Sequence, residues 1–108
     1  MTVKRYEPRS FAVDAHNFGR VRKVRWKPDE AFTGSELDYL LASKMQHAYA
    51  VVINEQILDH HGSIREYAAS AGHNYQRLGR MLRGEIVMRL DDITNAERQL
   101  GIGLRRNG

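Results

Sequence analysis

The chain has 108 residues, of which 42% are hydrophobic, and carries a formal net charge of +4 with an isoelectric point near 9.7. This length suits one domain with a short appended arm. The lack of cysteine excludes disulfides and thiolate metal sites, and no run approaches the roughly 18–20 apolar residues of a membrane helix. The first ten residues lack the apolar core of a signal peptide, so we expect a cytoplasmic protein.

The charge is distributed unevenly along the chain. Residues 1–34 contain eight Lys or Arg and four Asp or Glu, residues 35–60 contain one and four, and residues 61–108 contain eight and five. The three segments therefore carry +4, −3 and +3. Two basic ends are compatible with a polyanionic partner and equally with ordinary solubilising charge.

Residues 1–34 form the first predicted unit, a basic N-terminal arm or β-hairpin. Apolar residues alternate weakly with polar ones on the two sides of a loop that contains Gly19, namely Phe11, Val13, Ala15, Val24 and Trp26. This pattern predicts a short hairpin, and the alternative is a flexible basic arm that orders on binding. Pro28 and the Thr-Gly-Ser run at 33–35 end the unit.

Residues 35–60 have a helical pattern. Ser35 is a candidate N-cap, and carboxylates in the first turn complement the helix dipole. Residues near a period of 3.6 predict the buried face, namely Leu37, Leu40, Leu41, Met45, Ala48, Val52, Gln56 and Leu58. Further apolar residues widen this face enough for a core plus a partner surface. The length allows one long helix or two with a break, ending near Gly62.

From Ser63 onward the pattern indicates three short helices. Ser63 opens the first with a capping box to the Glu three residues later, and Gly72 ends it. Asn74 caps a second helix over about 75–83, and a third runs over about 90–100. Their predicted inward-facing residues are Ile64, Tyr67, Ala68, Ala71, Leu78, Met81, Leu82, Leu90, Ile93, Ala96 and Leu100.

Residues 64–83 resemble the helix-turn-helix of the phage repressor and Cro family, which includes many xenobiotic-response-type regulators. Ala68 stands where the two helices must approach closely, and Gly72 stands where the turn requires a positive φ. Leu78 and Met81 match the apolar anchor positions of the second helix.

The resemblance extends beyond the motif to about residues 53–103. The Arg-Gly-Glu run at 83–85 matches a frequent exit from the recognition helix, and residues 90–102 match the helix that follows. The sequence departs from the family pattern at three positions, His73, Tyr67 and Gly79. The fold that the resemblance implies is mainly α, a lambda-repressor-like helix-turn-helix bundle of four to five helices over residues 35–108.

The resemblance also implies a set of DNA contacts, because the N-terminal half of the second helix enters the major groove in such motifs. Carried over by position, the base contacts are Asn74, Tyr75, Gln76 and Arg80. Arg77 is a further candidate that can reach either a base or the backbone, and Ser63, Arg65 and Arg83 are well placed for phosphates. Gln76 suits adenine and Arg80 suits guanine, since each side chain can form two hydrogen bonds to that base. The alternative leaves these arginines as a solvated helix face.

A second basic run lies at residues 20–27, where five cations accompany one Trp, namely Arg20, Arg22, Lys23, Arg25 and Lys27. Such a run suits phosphate contacts or a minor-groove arm. An exposed hairpin could instead pair with a second copy of the chain, or the run could be a solvated strand.

The predicted function is sequence-specific binding of double-stranded DNA by a transcriptional repressor or regulator of bacterial or phage origin. We expect a homodimer, formed through the apolar face of 37–58 or the hairpin. The alternative is an antitoxin-like or scaffold protein-interaction module, and a nuclease-like enzyme accessory is a third interpretation. We expect no catalytic, metal or cofactor site, because the five histidines lack ligand spacing and no nucleophile or phosphate-loop motif occurs.

Overall fold

The computed structural model describes residues 5–103, so the ends of the predicted units 1–34 and 35–108 lie outside the described residues. The α-helices in this range are α1 (Ser35–His61), α2 (Ile64–Ala71), α3 (Tyr75–Leu82) and α4 (Leu90–Leu100). Three short 3₁₀ turns precede them, at Pro8–Phe11, Ala15–Asn17 and Asp29–Ala31. The prediction of a mainly helical fold is therefore confirmed.

The predicted N-terminal β-hairpin is wrong. Between residues 5 and 34 the backbone forms one isolated antiparallel bridge, between Ala12 and Trp26, and no strand. The carboxylate of Asp14 accepts a 3.1 Å hydrogen bond from the N–H of His16 and so favours a 3₁₀ turn where the strand would continue. Phe18 then enters the core, where it is 1% exposed. Local capping and burial of one aromatic ring thus prevail over strand pairing.

The N-terminal segment is joined to the rest of the fold by close packing. The Phe18 ring lies against Gly84, at the exit of α3, where a Cβ atom would lie 2.6 Å from the ring. Only glycine fits this contact, and its φ of 75° is also one that other residues rarely adopt. Further toward the N-terminus, the hydroxyl of Tyr6 donates to the carbonyl oxygen of Tyr39 at 3.0 Å. Residues 5–34 therefore lie on α1 and on the end of α3.

The predicted helix over 35–60 is one continuous helix, α1. Ser35, the predicted N-cap, is instead the first residue of the helix. The N-cap position is occupied by Gly34, which has a φ of 57° and provides no side-chain cap. Its end near Gly62 is confirmed, because the Gly62 N–H donates to the carbonyl oxygen of Leu58 at 3.2 Å.

The buried face of α1 differs from the predicted one. Of the predicted residues, Leu41, Met45 and Leu58 are 46%, 57% and 58% exposed. The face that is buried also contains polar residues, and its members are Leu40, Ser43, Gln46, His47, Ala50, Val51, Ile53 and Ile57. The polar members can be buried because other segments supply hydrogen-bond partners, which a periodicity of hydrophobicity does not detect.

Gln46 illustrates this pairing. Its amide nitrogen donates to the carbonyl oxygens of Met81 at 3.0 Å and Ile86 at 2.9 Å, and its oxygen accepts from the N–H of Met88 at 2.8 Å. One buried side chain thus satisfies three backbone groups, one at the end of α3 and two in the loop between α3 and α4. These bonds fix the loop between α3 and α4 against the middle of α1.

Ser63 and Asn74, the N-cap residues predicted for α2 and α3, are confirmed. Ser63 accepts a 3.1 Å hydrogen bond from the N–H of Glu66, and Gly72 ends α2 in the left-handed conformation. Asn74 begins α3 by accepting from the N–H of Arg77 at 2.9 Å. In α4 the predicted inward residues are buried except Leu90, which is 81% exposed. Core residues from α1, the three shorter helices and Phe18 form a single cluster.

Candidate nucleic-acid interface

The outer face of α3 presents most of the side chains predicted to contact bases. Asn74, Tyr75, Gln76 and Arg80 are exposed, whereas Leu78, Met81 and Leu82 on the opposite face are buried in the core. This segregation of polar and apolar residues leaves one face of α3 open to a large partner. A surface helix with this arrangement can enter a major groove of about 12 Å width.

Arg77 is placed differently from its neighbours on α3. Its two terminal nitrogens each donate a 2.9 Å hydrogen bond to one carboxylate oxygen of Asp92 on α4. The hydrogen bonding of Arg77 to Asp92 is also the main reason that the pKa of Arg77 is raised. Because both terminal nitrogens donate to Asp92, Arg77 joins α3 to α4, and only its remaining N–H groups are available to another partner.

Two other predicted base contacts have local partners. The side-chain oxygen of Asn74 caps α3, so its amide nitrogen is the group that faces a ligand. The guanidinium carbon of Arg65 lies 4.4 Å from the centre of the Tyr75 ring, a cation–π contact between the start of α2 and the start of α3. Arg65 is thereby held beside the outer face of α3, close to the Ser63 cap.

A cluster of charged side chains lies at the end of α3, around Glu85. Both carboxylate oxygens of Glu85 face arginines, with Arg83 Nε at 2.6 Å, Arg80 Nε at 3.6 Å and Arg9 Nη1 at 3.8 Å. The hydrogen bond from Arg83 is the largest contribution that lowers the pKa of Glu85, and the charges of Arg83, Arg9 and Arg80 lower it further. We call Arg9, Arg80, Arg83 and Glu85 the Glu85 cluster.

Gly79 provides room for Arg83 within this arrangement. A Cβ atom on Gly79 would lie 2.9 Å from Arg83 Nη1, so the guanidinium group lies directly over this glycine. Gly79 is one of the departures from the family pattern, and glycine costs about 1 kcal/mol relative to alanine in a helix interior. Its structural consequence is that Arg83 lies along α3 instead of pointing away from it.

The second basic run, at residues 20–27, is exposed on a segment that is hydrogen-bonded to α1. The five predicted cations, Arg20, Arg22, Lys23, Arg25 and Lys27, are all exposed. Arg22 pairs with Glu55 on α1 at 2.6 Å, and Arg20 lies 3.0 Å from the ring of His16. Since Arg22 has an acidic partner in the same chain, the run contributes less free positive charge than its sequence indicates.

The buried side chain of His47 on α1 fixes the backbone of this basic run by hydrogen bonds. Its Nδ1 accepts a 2.9 Å hydrogen bond from the N–H of Gly19, and its Nε2 lies 3.1 Å from the carbonyl oxygen of Arg22. The two contacts define the neutral tautomer with hydrogen on Nε2. The amide of Asn54 donates to the carbonyl oxygen of Gly19 at 2.9 Å. Two polar residues of α1 thus position a segment that precedes the predicted DNA-binding unit.

Sequence reasoning missed Arg9, Glu85, Gln46 and His47. The polar residues that interrupt the apolar pattern of α1 were a usable signal for the last two, because a polar residue in the middle of a helix face needs a partner. Arg9 gives no comparable signal, since its place beside Glu85 depends on the backbone hydrogen bond from Arg9 N–H to the carbonyl oxygen of Gly84, at 3.0 Å.

No protein-family model matches the chain, and no curated protein or solved structure shows detectable similarity to it. Among residues 5–103, no three His, Asp or Glu side chains are grouped so that they could hold a metal ion. Across the same residues, no helix has the length and apolar composition needed to cross a membrane. The functional interpretation accordingly depends on the geometry and charge of α3 and its surroundings.

Proposed function

We propose that the chain binds double-stranded DNA sequence-specifically through α3, as a regulator of transcription, and that it has a lambda-repressor-like helix-turn-helix fold. The observation that carries the proposal is the exposed polar face of α3, with Gln76 and Arg80 on a helix whose opposite face is buried. The α2–turn–α3 geometry, with Gly72 in the left-handed conformation, supports the resemblance to the phage repressor and Cro family.

The proposed readers are Gln76 and Arg80, with Asn74 and Tyr75 beside them. A glutamine amide can bond an adenine edge in two places and an arginine can bond a guanine edge in two places, each worth roughly 1–3 kcal/mol of discrimination. Arg77 is not among the proposed readers, because its guanidinium group pairs with Asp92. Its role in the proposal is to hold α3 at a fixed angle to α4.

Phosphate contacts come from side chains around the rim of this face. Arg65 and Ser63 lie at the start of α2, Arg83 lies at the end of α3, and the exposed cations of residues 20–27 extend the basic surface. Such contacts set the register of the protein on the duplex and carry little sequence information. They also make affinity dependent on salt, since each neutralised phosphate releases counterions.

We further propose a homodimer on a pseudo-palindromic site. One recognition helix touches too few base pairs for high specificity, and two copies on half-sites about one helical turn apart remedy this. Exposed apolar residues on α1, including Leu41 and Met45, offer a surface for the second copy. The basic segment at residues 20–27 is the alternative contact.

The experiment that tests this function is selection of bound sequences from a random duplex pool, combined with the mass of the protein in solution. Enrichment of one pseudo-palindromic sequence by a dimer supports the proposal. Loss of all duplex binding at low salt, with a folded monomer, favours the second candidate. In that candidate the chain is a protein-interaction module, and the acidic segment 35–60 with its exposed Leu41, Met45 and Leu58 binds another protein.

A further inference from the structure

The Glu85 cluster joins two parts of the chain that are far apart in sequence. Arg9 belongs to the N-terminal segment, whereas Arg80, Arg83 and Glu85 belong to the end of α3 and the turn after it. Its position is set by backbone contacts, because Arg9 N–H donates to the carbonyl oxygen of Gly84 and Glu85 N–H donates to that of Arg80 at 2.9 Å. The burial of Phe18 under Gly84 holds both segments together.

The arginines of this cluster are arranged as in an anion-binding site, and the carboxylate of Glu85 occupies the position of the anion. A single carboxylate lies between the guanidinium groups of Arg9 and Arg83, with its Oε2 atom 3.8 Å from one and 2.6 Å from the other. Arg9 has a second acidic neighbour, Glu7, at 3.5 Å. Counting Glu7, three arginines face two carboxylates, so a positive charge remains at the end of α3.

Both arginines remain accessible to a ligand. The side chains of Arg9 and Arg83 are 38% and 54% exposed, whereas that of Glu85 is 23% exposed and lies beneath them. Guanidinium groups bind phosphate with two parallel hydrogen bonds, the same mode in which they bind a carboxylate. A phosphate oxygen can therefore take the place that Glu85 Oε2 now holds.

We infer that Arg9 and Arg83 form a binding site for a backbone phosphate at the end of α3, and that Glu85 occupies this site when no phosphate is bound. The inference rests on the proposed function, which it extends by adding a phosphate contact from outside the helix-turn-helix segment. Glu85 competes with phosphate and so weakens binding to every polyanion alike. Glu85 also holds Arg80 near the end of α3, with Glu85 Oε1 3.6 Å from Arg80 Nε, until phosphate displaces the Glu85 carboxylate.

The direct test is a titration of the ¹⁵N-labelled protein with inorganic phosphate at low salt, followed on the Nε–Hε signals of its arginines. We expect the Arg9 and Arg83 signals to move together with one dissociation constant. Glu85→Gln removes the competing charge and should tighten that constant by about threefold or more, the effect of removing one exposed charge pair. Arg9→Ala should weaken it by about as much.

The matched control is Arg5→Ala, which makes the same charge change in the same segment, at a residue that lines a cleft with Glu7, Lys27 and Tyr39 and is not among the arginines paired with Glu85. It should leave the phosphate constant unchanged. A thermal melt of each variant establishes that it is folded, and Arg9→Ala tests the site independently if Glu85→Gln is unstable. The inference is overturned if the Arg9 signal does not move on addition of phosphate, or if Arg5→Ala weakens phosphate binding as much as Arg9→Ala. It is also overturned if Glu85→Gln binds phosphate no more tightly than the wild type.

A second arm uses a duplex in place of inorganic phosphate. Arg9→Ala should reduce the slope of log affinity against log salt concentration by about 1, the contribution of one phosphate contact, whereas Arg5→Ala should leave the slope unchanged. If the wild-type protein binds phosphate as expected but binds no duplex, the phosphate site stands and the DNA function fails. If it binds a selected duplex and Arg9→Ala leaves the slope unchanged, the DNA function stands and the assignment of Arg9 fails.

Discussion

Arg77 on α3 and Asp92 on α4 are joined by two parallel hydrogen bonds, each of 2.9 Å. The same carboxylate accepts the N–H of Arg89 at 2.8 Å, which caps the first turn of α4. Asp92 thus begins α4 and also fixes its position relative to α3. Because Arg77 projects from the first turn of α3, this pair orients the helix that we propose to enter the major groove.

Replacing Asp92 should therefore destabilise the protein more than replacing the neighbouring acid. Asp92→Asn weakens the pair with Arg77 and the cap of α4, and we expect a loss of about 1–3 kcal/mol. Asp91→Asn makes the same chemical change at a side chain that is 74% exposed, and should cost less than about 0.5 kcal/mol. Urea denaturation of both variants measures the difference. Equal losses would contradict the structural role of Asp92.

Asp92 also makes stability depend on pH. Burial alone raises its pKa, but the hydrogen bonds from Arg77 and Arg89 outweigh burial, so the pKa lies below its ordinary value of 3.8. The unfolded chain then binds the proton more tightly than the folded one. The stabilisation by ionised Asp92 is accordingly present above about pH 4 and is lost as the pH falls through the folded-state pKa.

The pKa of Glu85 is also lowered, so ionised Glu85 likewise stabilises the folded state. This stabilisation is lost as the pH falls below the ordinary pKa of 4.5. We expect the free energy of unfolding to fall between about pH 5 and about pH 3, and to fall less steeply in Asp92→Asn and in Glu85→Gln. Asp91→Asn should keep the wild-type slope. A wild-type stability that stays constant over this range would show that neither carboxylate is stabilised by its arginines.

The three shorter helices were predictable from the sequence because their ends are set by local chemistry. Ser63 and Asn74 cap the helices that they precede, and Gly72 ends α2. Each of these interactions lies within four residues along the chain, so the pattern of residue types contains the information. The identity of the exposed residues on α3 followed from the same pattern.

The buried face of α1 and the course of the N-terminal segment were not predictable in this way. Gln46 and His47 are buried because backbone groups of distant segments bond to them. Phe18, which the sequence places in the loop of the predicted hairpin, is buried because a place for it exists beneath Gly84. These partners are set by tertiary packing, which periodicity does not describe. The placement of Arg9 beside Glu85 depends on the same long-range contacts.

Gly79 offers a test that separates stability from binding. In Gly79→Ala the new methyl group displaces the flexible end of Arg83, while the helix gains about 0.5–1 kcal/mol from alanine. We expect a melting temperature at or above that of the wild type and weaker binding to all duplexes. In an Arg83→Ala background the same change should leave binding unaltered. A loss of affinity that persists in that background would mean that Gly79 itself approaches the DNA.

His47 is expected to be essential for docking of the N-terminal segment. It is 5% exposed and its ring contacts Phe18 and Trp26, so His47→Ala removes packing and leaves the N–H of Gly19 without its partner. We expect a loss of about 2–4 kcal/mol and faster hydrogen exchange at the Gly19 amide. His60→Ala, at an exposed site on the same helix, is the matched control and should have little effect. Unchanged protection of Gly19 in His47→Ala would contradict this role.

Whether α3 reads base sequence is decided by comparing the duplexes selected by the wild type, Arg80→Ala and Arg83→Ala. We expect Arg80→Ala to lose the preference at one base pair of each half-site, a discrimination of roughly 1–3 kcal/mol, because a base-reading guanidinium is gone. Arg83→Ala should keep the wild-type consensus and bind every duplex more weakly. The claim is contradicted if both variants select the wild-type consensus with affinities within about twofold of the wild type.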